Sequence, residues 1–315
     1  MTLMVTGATG HVGGEILRQA AQRGMDVIAV SRDEATESSG PTRRLRLDLT
    51  DATAVRAFAA QHAIDACIHA AAISNEAFAR PDPLGAIAAN VGGTANLLEA
   101  ARLSGWRRFV LISTGSVFSL VSDATKPILE DQETAPQNVY STTKRAAEML
   151  TRMYRSEYGL SAAAVRISWV FGPPVISDQP MRGPIPSYLL RALRGEAIRE
   201  GGAEFAASFT YVADVAAALL AAAAAPGLRH ALYHFGHGVN FTAGEAAEAV
   251  RRAVPGAAIE LAGGTEPWTR YTAPRGPLAG ERFFQDVGYR PAHTLAAGVA
   301  AYADWMRANP EKWKN

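Results

Sequence analysis

The chain has 315 residues, a length that predicts one large domain or two smaller ones. Its 31 basic and 30 acidic residues leave a net charge of +1, which gives no support to nucleic acid or an anionic membrane as the main partner. The single cysteine, Cys67, excludes an intramolecular disulfide and a cysteine-based zinc cluster, so we expect a reducing compartment and no metal site.

The first half of the chain alternates short apolar runs with longer amphipathic ones. Strands are predicted at Leu3–Thr6, Asp26–Val30, Leu45–Leu49, Ala66–His69, Phe109–Ser113 and Ala162–Ile167. Helices are predicted at Val12–Arg23, Thr53–Gln61, Ala86–Ser104 and Tyr140–Tyr158. Strands separated by helices build βαβ units with right-handed crossovers, so we predict an α/β fold with a doubly wound parallel sheet.

The pattern becomes irregular near Trp169 and is then rich in proline and glycine up to residue 208. Later regular elements are predicted at Pro186–Arg194, Thr210–Ala225, Leu232–Phe235, Ala243–Ala253 and Leu295–Ala308. We predict a cofactor-binding sheet domain from residues 1–170 and 209–240, and a smaller, discontinuous substrate-binding subdomain from residues 171–208 and 241–315. The cleft between them is the expected ligand site.

Neither a signal peptide nor a membrane span is expected. The apolar run Leu3–Val5 is too short for a signal-peptide core and has no basic residue before it. The alanine-rich run Val215–Ala225 is shorter than a span and ends at Pro226. We therefore expect a soluble, cytoplasmic protein.

A glycine-rich loop follows the first predicted strand and opens the first helix, with glycines in G-x-x-G-x-x-G spacing. The first glycine permits a tight turn, the second lets the backbone approach a pyrophosphate, and the third allows close helix–strand packing. Because a helix N-terminus also favours phosphate, this context predicts dinucleotide binding rather than an ordinary glycine-rich turn. The residues predicted to contact the cofactor are Gly7, Thr9, Gly10, His11, Val12 and Gly13.

The end of the second predicted strand is where the adenosine ribose would be recognised. Ser31 stands where an acidic residue that selects NAD would be expected, and Arg32 follows it. Without a carboxylate at Ser31 a 2′-phosphate is not repelled, and Arg32 offers it a stacking, bidentate partner. We therefore favour NADP over NAD. The alternative is that Arg32 is solvated and Asp33 binds the ribose of NAD.

Tyr140 and Lys144 are spaced i and i+4 on a predicted helix, which puts them on one face. A tyrosine of pKa near 10 is a poor base at neutral pH, but a nearby ammonium lowers its pKa and lets it exchange a proton with a substrate oxygen. Thr114 and Ser116 end a buried strand at the edge where such sheets bind ligands, and a hydroxyl there can polarise that oxygen. Each feature alone would also suit a chance surface pair or a turn, and the combination predicts a catalytic site.

Together these motifs resemble the extended short-chain dehydrogenases/reductases, also called the NAD-dependent epimerase/dehydratase family, over most of the chain. Further matching segments are Asp48-Leu49, His69-Ala70-Ala71-Ala72, Asn90-Val91-Gly92-Gly93-Thr94, Phe171-Gly172-Pro173 and Tyr211-Val212-Ala213-Asp214. The resemblance implies a Rossmann fold, a nicotinamide cofactor, and usually a homodimer through the two long helices near residues 86–104 and 140–158.

The resemblance also implies residue roles. Thr114 falls on the catalytic hydroxyl position, and Tyr140 and Lys144 fall on the catalytic pair. Asn90 is either a cofactor contact or a support for backbone or water near Lys144. The further residues that it implies as cofactor contacts are Asp48, Leu49, Ala70, Ala71 and Ala72.

Departures from the family pattern bear on the substrate. Nucleotide-sugar members usually carry an asparagine where this chain has Trp169, and an arginine where it has Ala207. Because a diphosphate needs charge-assisted partners, these losses and the bulky indole predict a substrate smaller than a nucleotide sugar. Arg275 lies in a loop where the family often has a phosphate-binding arginine, which keeps the nucleotide-sugar alternative open.

Four residues are candidate substrate contacts. The segment that ends at Ser74 resembles that of sugar-acid dehydrogenases in the same family. Arg182 is either a carboxylate ligand or a loop residue in water, and Trp169 and Arg275 complete the set. The sequence predicts an NAD(P)-dependent oxidoreductase that exchanges hydride at a secondary alcohol or carbonyl of a small polar substrate. The alternatives are a nucleotide-sugar epimerase or dehydratase with tightly bound NAD, and a non-catalytic NADP-sensing regulator.

Overall fold

The structure is a computed structural model that describes residues 1–32, 40–118, 124–269, 271 and 273–314. In this part of the chain the strands are β1 (Thr2–Thr6), β2 (Asp26–Ser31), β3 (Thr42–Arg46), β4 (Ala66–His69), β5 (Arg108–Thr114), β6 (Ala162–Ile167), β7 (Val170–Phe171), β8 (Ile198–Glu200), β9 (Ala206–Ala207), β10 (Thr210–Tyr211), β11 (Leu232–His234), β12 (Phe241–Thr242) and β13 (Ile259–Leu261). The helices are α1 (His11–Gln22), α2 (Ala52–Gln61), α3 (Glu76–Ala79), α4 (Pro83–Ile87), α5 (Gly93–Leu103), α6 (Val139–Tyr158), α7 (Pro184–Leu193), α8 (Val212–Ala224), α9 (Ala243–Ala253), α10 (Glu281–Val287) and α11 (Leu295–Ala308). None of these helices is long and apolar enough to cross a membrane.

Strands β1–β6 and β11 form one parallel sheet in the order β11-β6-β5-β4-β1-β2-β3. The chain starts in the middle of the sheet and winds to one side and then to the other, which is the doubly wound arrangement that the sequence predicts. The carboxyl ends of β1, β4 and β5 meet at one edge, with Thr6 beside His69 in register. The switch in winding direction beside β1 opens a crevice at this edge.

Both faces of the sheet are covered, which explains why its central strands are apolar at nearly every position. On one face α1 packs against α8, and Ile16 and Leu219 are fully buried there. On the other face lie α2, α5 and α6, with Leu97 and Ala147 in the core. Helices on both faces hold the crevice edge of the sheet in a fixed geometry.

A smaller packing group follows β6. It combines two short pairings, β8 with β13 and β9 with β12, with the helices α7, α9 and α11. Its own core includes Tyr188, Val250 and Tyr302. The division into domains at the boundaries given above stays a prediction. A hydrogen bond of 2.9 Å between His11 Nε2 and the carbonyl oxygen of Gly172 ties the glycine loop to the start of this later segment.

Two predicted elements differ from the observed ones. The third strand is Thr42–Arg46 rather than Leu45–Leu49, because Leu47 and Leu49 are buried in the turn that follows the strand. The helix predicted over Ala86–Ser104 is divided by a π-helical turn at Ala88–Gly92 between α4 and α5. The turn brings Gly93 against Leu49, where an added Cβ would lie 3.3 Å from that side chain.

Candidate active site

The loop after β1 allows a ligand to approach the backbone closely. Gly7 has a φ of +64°, and a Cβ on it would lie 2.6 Å from the amide nitrogen of Ala71. A Cβ on Gly13 would lie 2.1 Å from the carbonyl oxygen of Gly7, so α1 packs directly on the loop. Gly10 begins α1 without a side-chain cap, which leaves the first N–H groups of the helix available to a ligand. This cradle fits the pyrophosphate of a dinucleotide.

A cavity of about 730 Å³ extends from this loop along the carboxyl edge of the sheet to the smaller packing group. That volume is typical of cofactor and substrate sites. The structure brings together at its wall these residues singled out from the sequence: Gly7, Thr9, Gly10, His11, Val12, Gly13, Ser31, Arg32, Asp48, Leu49, Ala70, Ala71, Ala72, Ser74, Thr114, Ser116, Tyr140, Lys144, Trp169, Arg182 and Arg275. Asn90 lies behind this wall and is 1% exposed.

The helix α6 presents Tyr140 and Lys144 to the cavity. Burial raises the pKa of Tyr140, and a hydrogen bond with Thr114 and the charge of Arg275 oppose that rise. Burial lowers the pKa of Lys144 to about 8, and the charge of Glu148 opposes that fall. The cation that acts on the tyrosine pKa is thus Arg275, whereas the sequence assigned this effect to Lys144.

Asn90 is a support for the site rather than part of its wall. Its Oδ1 accepts a hydrogen bond of 2.8 Å from the amide of Ile73, and its Nδ2 donates to the carbonyl of Ile73 at 3.1 Å. The same Nδ2 donates to Thr143 Oγ1 at 3.0 Å, next to Lys144. The amide thus fixes the turn after β4 against α6, and a direct contact of Asn90 with the cofactor stays a prediction.

A buried hydrogen-bond chain fixes the state of His69. Thr94 Oγ1 donates to the carbonyl oxygen of Asn90 at 2.6 Å and therefore accepts from His69 Nε2 at 3.1 Å. His69 Nδ1 then accepts from Thr6 Oγ1 at 2.7 Å, and that hydroxyl accepts from the amide of Ala71 at 3.2 Å. Burial lowers the pKa of His69 to about 3, so the ring is neutral and positions the turn.

Glu148 lies one helical turn beyond Lys144, with its side chain 2% exposed. Its two carboxylate oxygens each accept a hydrogen bond of 2.8 Å from Arg166, one from Nε and one from Nη2. Ser113 Oγ donates to the same carboxylate at 2.6 Å. Glu148 therefore ties α6 to β5 and β6 behind the catalytic pair. Glu148 was not predicted from the sequence, although its i+4 spacing from Lys144 was an available signal.

The end of β2 carries cationic groups rather than an acidic one. Ser31 lies opposite Arg46 in the β2–β3 register, and Arg46 Nε donates to the carbonyl oxygen of Arg32 at 3.1 Å. Asp48 accepts hydrogen bonds from the amide and hydroxyl of Thr50, which lower the pKa of Asp48, with smaller contributions from Arg32 and Arg46. Asp33, the alternative ribose ligand, lies outside the described residues.

An aromatic wall, formed by Trp169, Phe209 and Trp268, packs at one side of the cavity, and Trp169 is the member that lines it. Trp169 has a φ of +37°, a left-handed conformation that a bulky residue rarely adopts. Its ring centroid lies 5.0 Å from that of Trp268 and 6.4 Å from that of Phe209. The sequence missed Trp268, because the contact joins residues that are distant along the chain. Ala207 is buried in β9, where its carbonyl oxygen accepts a hydrogen bond of 3.0 Å from the amide of Phe209, and it does not line the cavity.

Arg182 and Arg275 enter the cavity from different segments. Arg182 lines the cavity, and its guanidinium lies 5.9 Å from the ring centroid of Phe78. Its charge also contributes to the low pKa of His11, although burial is the larger cause. Arg275 Nη2 donates to Ser168 Oγ at 3.4 Å. Both arginines therefore line the cavity rather than the outer surface.

Comparison with known proteins places the chain among relatives of similar length. Residues 3–232 match the NAD dependent epimerase/dehydratase family. The UDP-glucose 4-epimerase of Streptomyces lividans is 31% identical over 79% of this chain and 80% of its own length. The dTDP-glucose 4,6-dehydratase of Escherichia coli is 26% identical over 100% of this chain and 96% of its own. The solved UDP-glucose 4-epimerase of Thermus thermophilus, in complex with NAD, has a TM-score of 0.82 at 25% identity and covers 98% of this chain and 99% of its own. The chain belongs to the NAD-dependent epimerase/dehydratase family and is an NAD(P)-dependent enzyme that catalyses hydride transfer.

Proposed function

We propose that this enzyme acts on a small polar alcohol or ketone, such as a sugar or a sugar acid, that carries no nucleotide. The observation that carries this proposal is the aromatic wall. The indole of Trp169 stands where nucleotide-sugar members of the family usually have an amide, and Trp268 packs at right angles against it. A wall of this kind fills space and offers no charge-assisted hydrogen bond to a diphosphate.

The roles of the site residues follow from their positions. A bound nicotinamide supplies or accepts the hydride. Tyr140 exchanges a proton with the substrate oxygen through its phenol group, and the Thr114 hydroxyl that hydrogen-bonds to it holds the same oxygen in place, with Ser116 beside it. Lys144, one helical turn from Glu148, donates to the ribose hydroxyls, and the charge of Arg275 stabilises the phenolate of Tyr140.

We propose NADP as the preferred cofactor. Ser31 presents no carboxylate to the ribose, Arg32 follows it at the cavity wall, and Arg46 lies opposite it on β3. Such a pair favours a 2′-phosphate. The solved Thermus thermophilus relative is in complex with NAD. The KM values of this enzyme for NADP and NAD therefore test the preference directly.

We propose that the enzyme is a homodimer. Apolar side chains are exposed along the neighbouring helices α5 and α6, including Leu103 (56%), Met149 (59%) and Met153 (36%). Met149 and Met153 are one turn apart on the same face of α6. A second copy of the two helices would cover this surface. The cytoplasm as the compartment is likewise a proposal, and the single buried cysteine supports it.

The second candidate function is a nucleotide-sugar epimerase or dehydratase that recycles a tightly held NAD. The observation that favours it is the pair of cavity arginines, Arg182 and Arg275, since two cations suit a diphosphate. The similarity to a UDP-glucose 4-epimerase and a dTDP-glucose 4,6-dehydratase also favours this candidate. It predicts that NAD stays bound during purification and that no net NADH accumulates.

A substrate comparison separates the two functions. Purified enzyme is mixed with NADP or NAD and with free sugars, sugar acids or UDP-sugars, while the nicotinamide absorbance band and the sugar products are followed. The proposal predicts net reduction of added cofactor with a free sugar or sugar acid. Turnover of UDP-sugars alone, without a net absorbance change, contradicts it and supports the second candidate.

A further inference from the structure

The guanidinium of Arg275 packs directly on the catalytic turn. A Cβ added to Gly115 would lie 3.5 Å from Arg275 Nε, and Gly115 is flanked by the two cavity hydroxyls of Thr114 and Ser116. The charge of Arg275 also acts on Tyr140. Arg275 therefore lies at the point where the substrate oxygen would be bound, and not at the remote end of the cavity.

The segment that carries Arg275 is held rigidly. A Cβ on Gly276 would lie 1.8 Å from the carbonyl oxygen of Lys126, so the segments around these two residues are in direct backbone contact. The amide of Ile128 donates to the carbonyl of Pro277 at 2.8 Å, and the adjoining Leu278 is 1% exposed. Asn240 Nδ2 further donates to the carbonyl oxygen of Arg275 at 2.7 Å. Such a fixed backbone sets the point from which the Arg275 side chain enters the cavity.

No acidic side chain in the described part of the chain forms an ion pair with Arg275. Its side-chain hydrogen bond is the one to the neutral hydroxyl of Ser168 at 3.4 Å. Burial lowers the pKa of Arg275 to about 10, so the group still carries its charge at pH 7. A charge kept in a cavity without a counter-charge is costly, and binding an anionic ligand removes that cost.

The position of Arg275 decides which anion fits. In a nucleotide sugar the whole sugar ring separates the diphosphate from the carbon that reacts beside Tyr140. A carboxyl carbon that is two bonds from the reacting carbon lies close to it. This is the case in a 3-hydroxy acid that reacts at C3, and in a uronic acid that reacts at C4. Arginine and carboxylate match through two parallel hydrogen bonds.

From this arrangement we propose that Arg275 binds a carboxylate of the substrate next to the carbon that exchanges hydride, so that the enzyme selects a hydroxy acid over the corresponding neutral alcohol. This inference rests on the proposed function in assuming that the substrate reacts beside Tyr140. It assigns Arg275 a role in substrate specificity in addition to its effect on the pKa of Tyr140.

The test uses matched pairs of compounds that differ only in the carboxylate: D-glucuronate with D-glucose, D-galacturonate with D-galactose, and 3-hydroxybutyrate with 2-butanol. UDP-glucuronate and UDP-glucose form a fourth pair. Turnover is measured with the wild-type enzyme, and binding is measured by calorimetry with cofactor-loaded Tyr140→Phe, which reports binding without turnover. The variants are Arg275→Met, Arg275→Lys and the surface control Arg252→Met, whose side chain is 70% exposed on α9.

The expected result is that at least one acid binds and reacts while its neutral partner does neither at the same concentration. Arg275→Met should raise KM for that acid by about 30-fold or more, with a smaller change in kcat and an unchanged cofactor affinity. Arg275→Lys should recover part of this loss, because it keeps the charge but not the paired hydrogen bonds. Arg252→Met should match the wild type.

The outcomes separate this inference from the proposed function. Equal use of free acids and neutral alcohols, or no effect of Arg275→Met on the acid, overturns the carboxylate site while leaving the proposed function intact. Turnover of UDP-glucuronate alone, dependent on Arg275, supports the carboxylate site and overturns the nucleotide-free substrate. Failure of every acid to bind overturns the carboxylate site.

Discussion

Glu148 and Arg166 form a buried bidentate ion pair directly behind the catalytic helix face, with two hydrogen bonds of 2.8 Å. The pair joins α6 to β6, and Ser113 adds a bond from β5. Lys144 lies one turn along the same helix, and its pKa is raised by the Glu148 charge against the larger effect of burial. The Glu148 carboxylate therefore both holds α6 on the sheet and acts on the pKa of Lys144.

Replacing Glu148 with glutamine tests this link. The variant leaves Arg166 buried without a counter-charge, so we expect the free energy of unfolding to fall by about 3–5 kcal/mol. It also removes the charge that raises the pKa of Lys144, which now stands at about 8. A lower pKa deprotonates Lys144 at lower pH, so the alkaline limb of the kcat/KM profile should move towards neutral pH.

The measurements are urea unfolding and a pH–rate profile, with Glu248→Gln as control. Glu248 pairs with Arg251 and Arg252 on the surface of α9, far from the cavity wall. That variant should keep both the stability and the pH profile of the wild type. An unshifted alkaline limb in Glu148→Gln would show that Glu148 does not act on Lys144.

Asn90→Ala should destabilise the protein and slow the reaction, although Asn90 does not line the cavity. The variant removes three hydrogen bonds and leaves the partly buried amide and carbonyl of Ile73 without their side-chain partner, so we expect a loss of about 3 kcal/mol of unfolding free energy. Thermal unfolding and kcat check this. Asn309→Ala, which removes one bond to Trp305 near the C-terminus, should cost much less. Equal stability losses would contradict the supporting role of Asn90.

Arg32→Ala should reduce the preference for NADP. The loss of one charge-assisted partner of the 2′-phosphate is expected to raise KM for NADP by about tenfold and to leave KM for NAD unchanged. Steady-state kinetics with both cofactors provides the measurement, and the exposed Arg252→Ala serves as control. If Arg32→Ala affected both cofactors equally, Arg32 would not read the 2′-phosphate.

Met149→Glu should convert the proposed dimer into a monomer, because a carboxylate on α6 would be buried against a second copy. Light scattering coupled to size exclusion measures the mass directly. Phe284→Glu changes an apolar residue that is 37% exposed on α10 and should leave the dimer intact. A monomeric wild type, or a dimer that survives Met149→Glu, would place the interface elsewhere or exclude it.

The sequence predicted the parts of the site that are local in the chain. Gly7 and Gly10 lie in one loop and Gly13 in the first turn of α1, and their spacing alone indicates the turn that the structure shows. The doubly wound sheet follows in the same way from alternating strands and helices. Neither of these required any knowledge of which distant residues meet.

The parts that were missed depend on contacts between distant residues. Trp268 reaches Trp169 from a loop about a hundred residues away. Arg275 was named as a candidate substrate contact, but its approach to Gly115 was not foreseen. No periodicity marks such partners. The sequence also assigned the cation near Tyr140 to the neighbouring Lys144, because helical spacing is visible in a sequence and a tertiary approach is not.

The central claim is that Tyr140 exchanges the proton in a cofactor-dependent hydride transfer, and Tyr140→Phe tests it most directly. Turnover and cofactor affinity are measured side by side with Tyr158→Phe, in which a 55% exposed tyrosine at the end of the same helix is changed. We predict that Tyr140→Phe lowers kcat by at least about 100-fold while binding cofactor as the wild type does, and that Tyr158→Phe changes neither. Wild-type turnover in Tyr140→Phe would contradict the account.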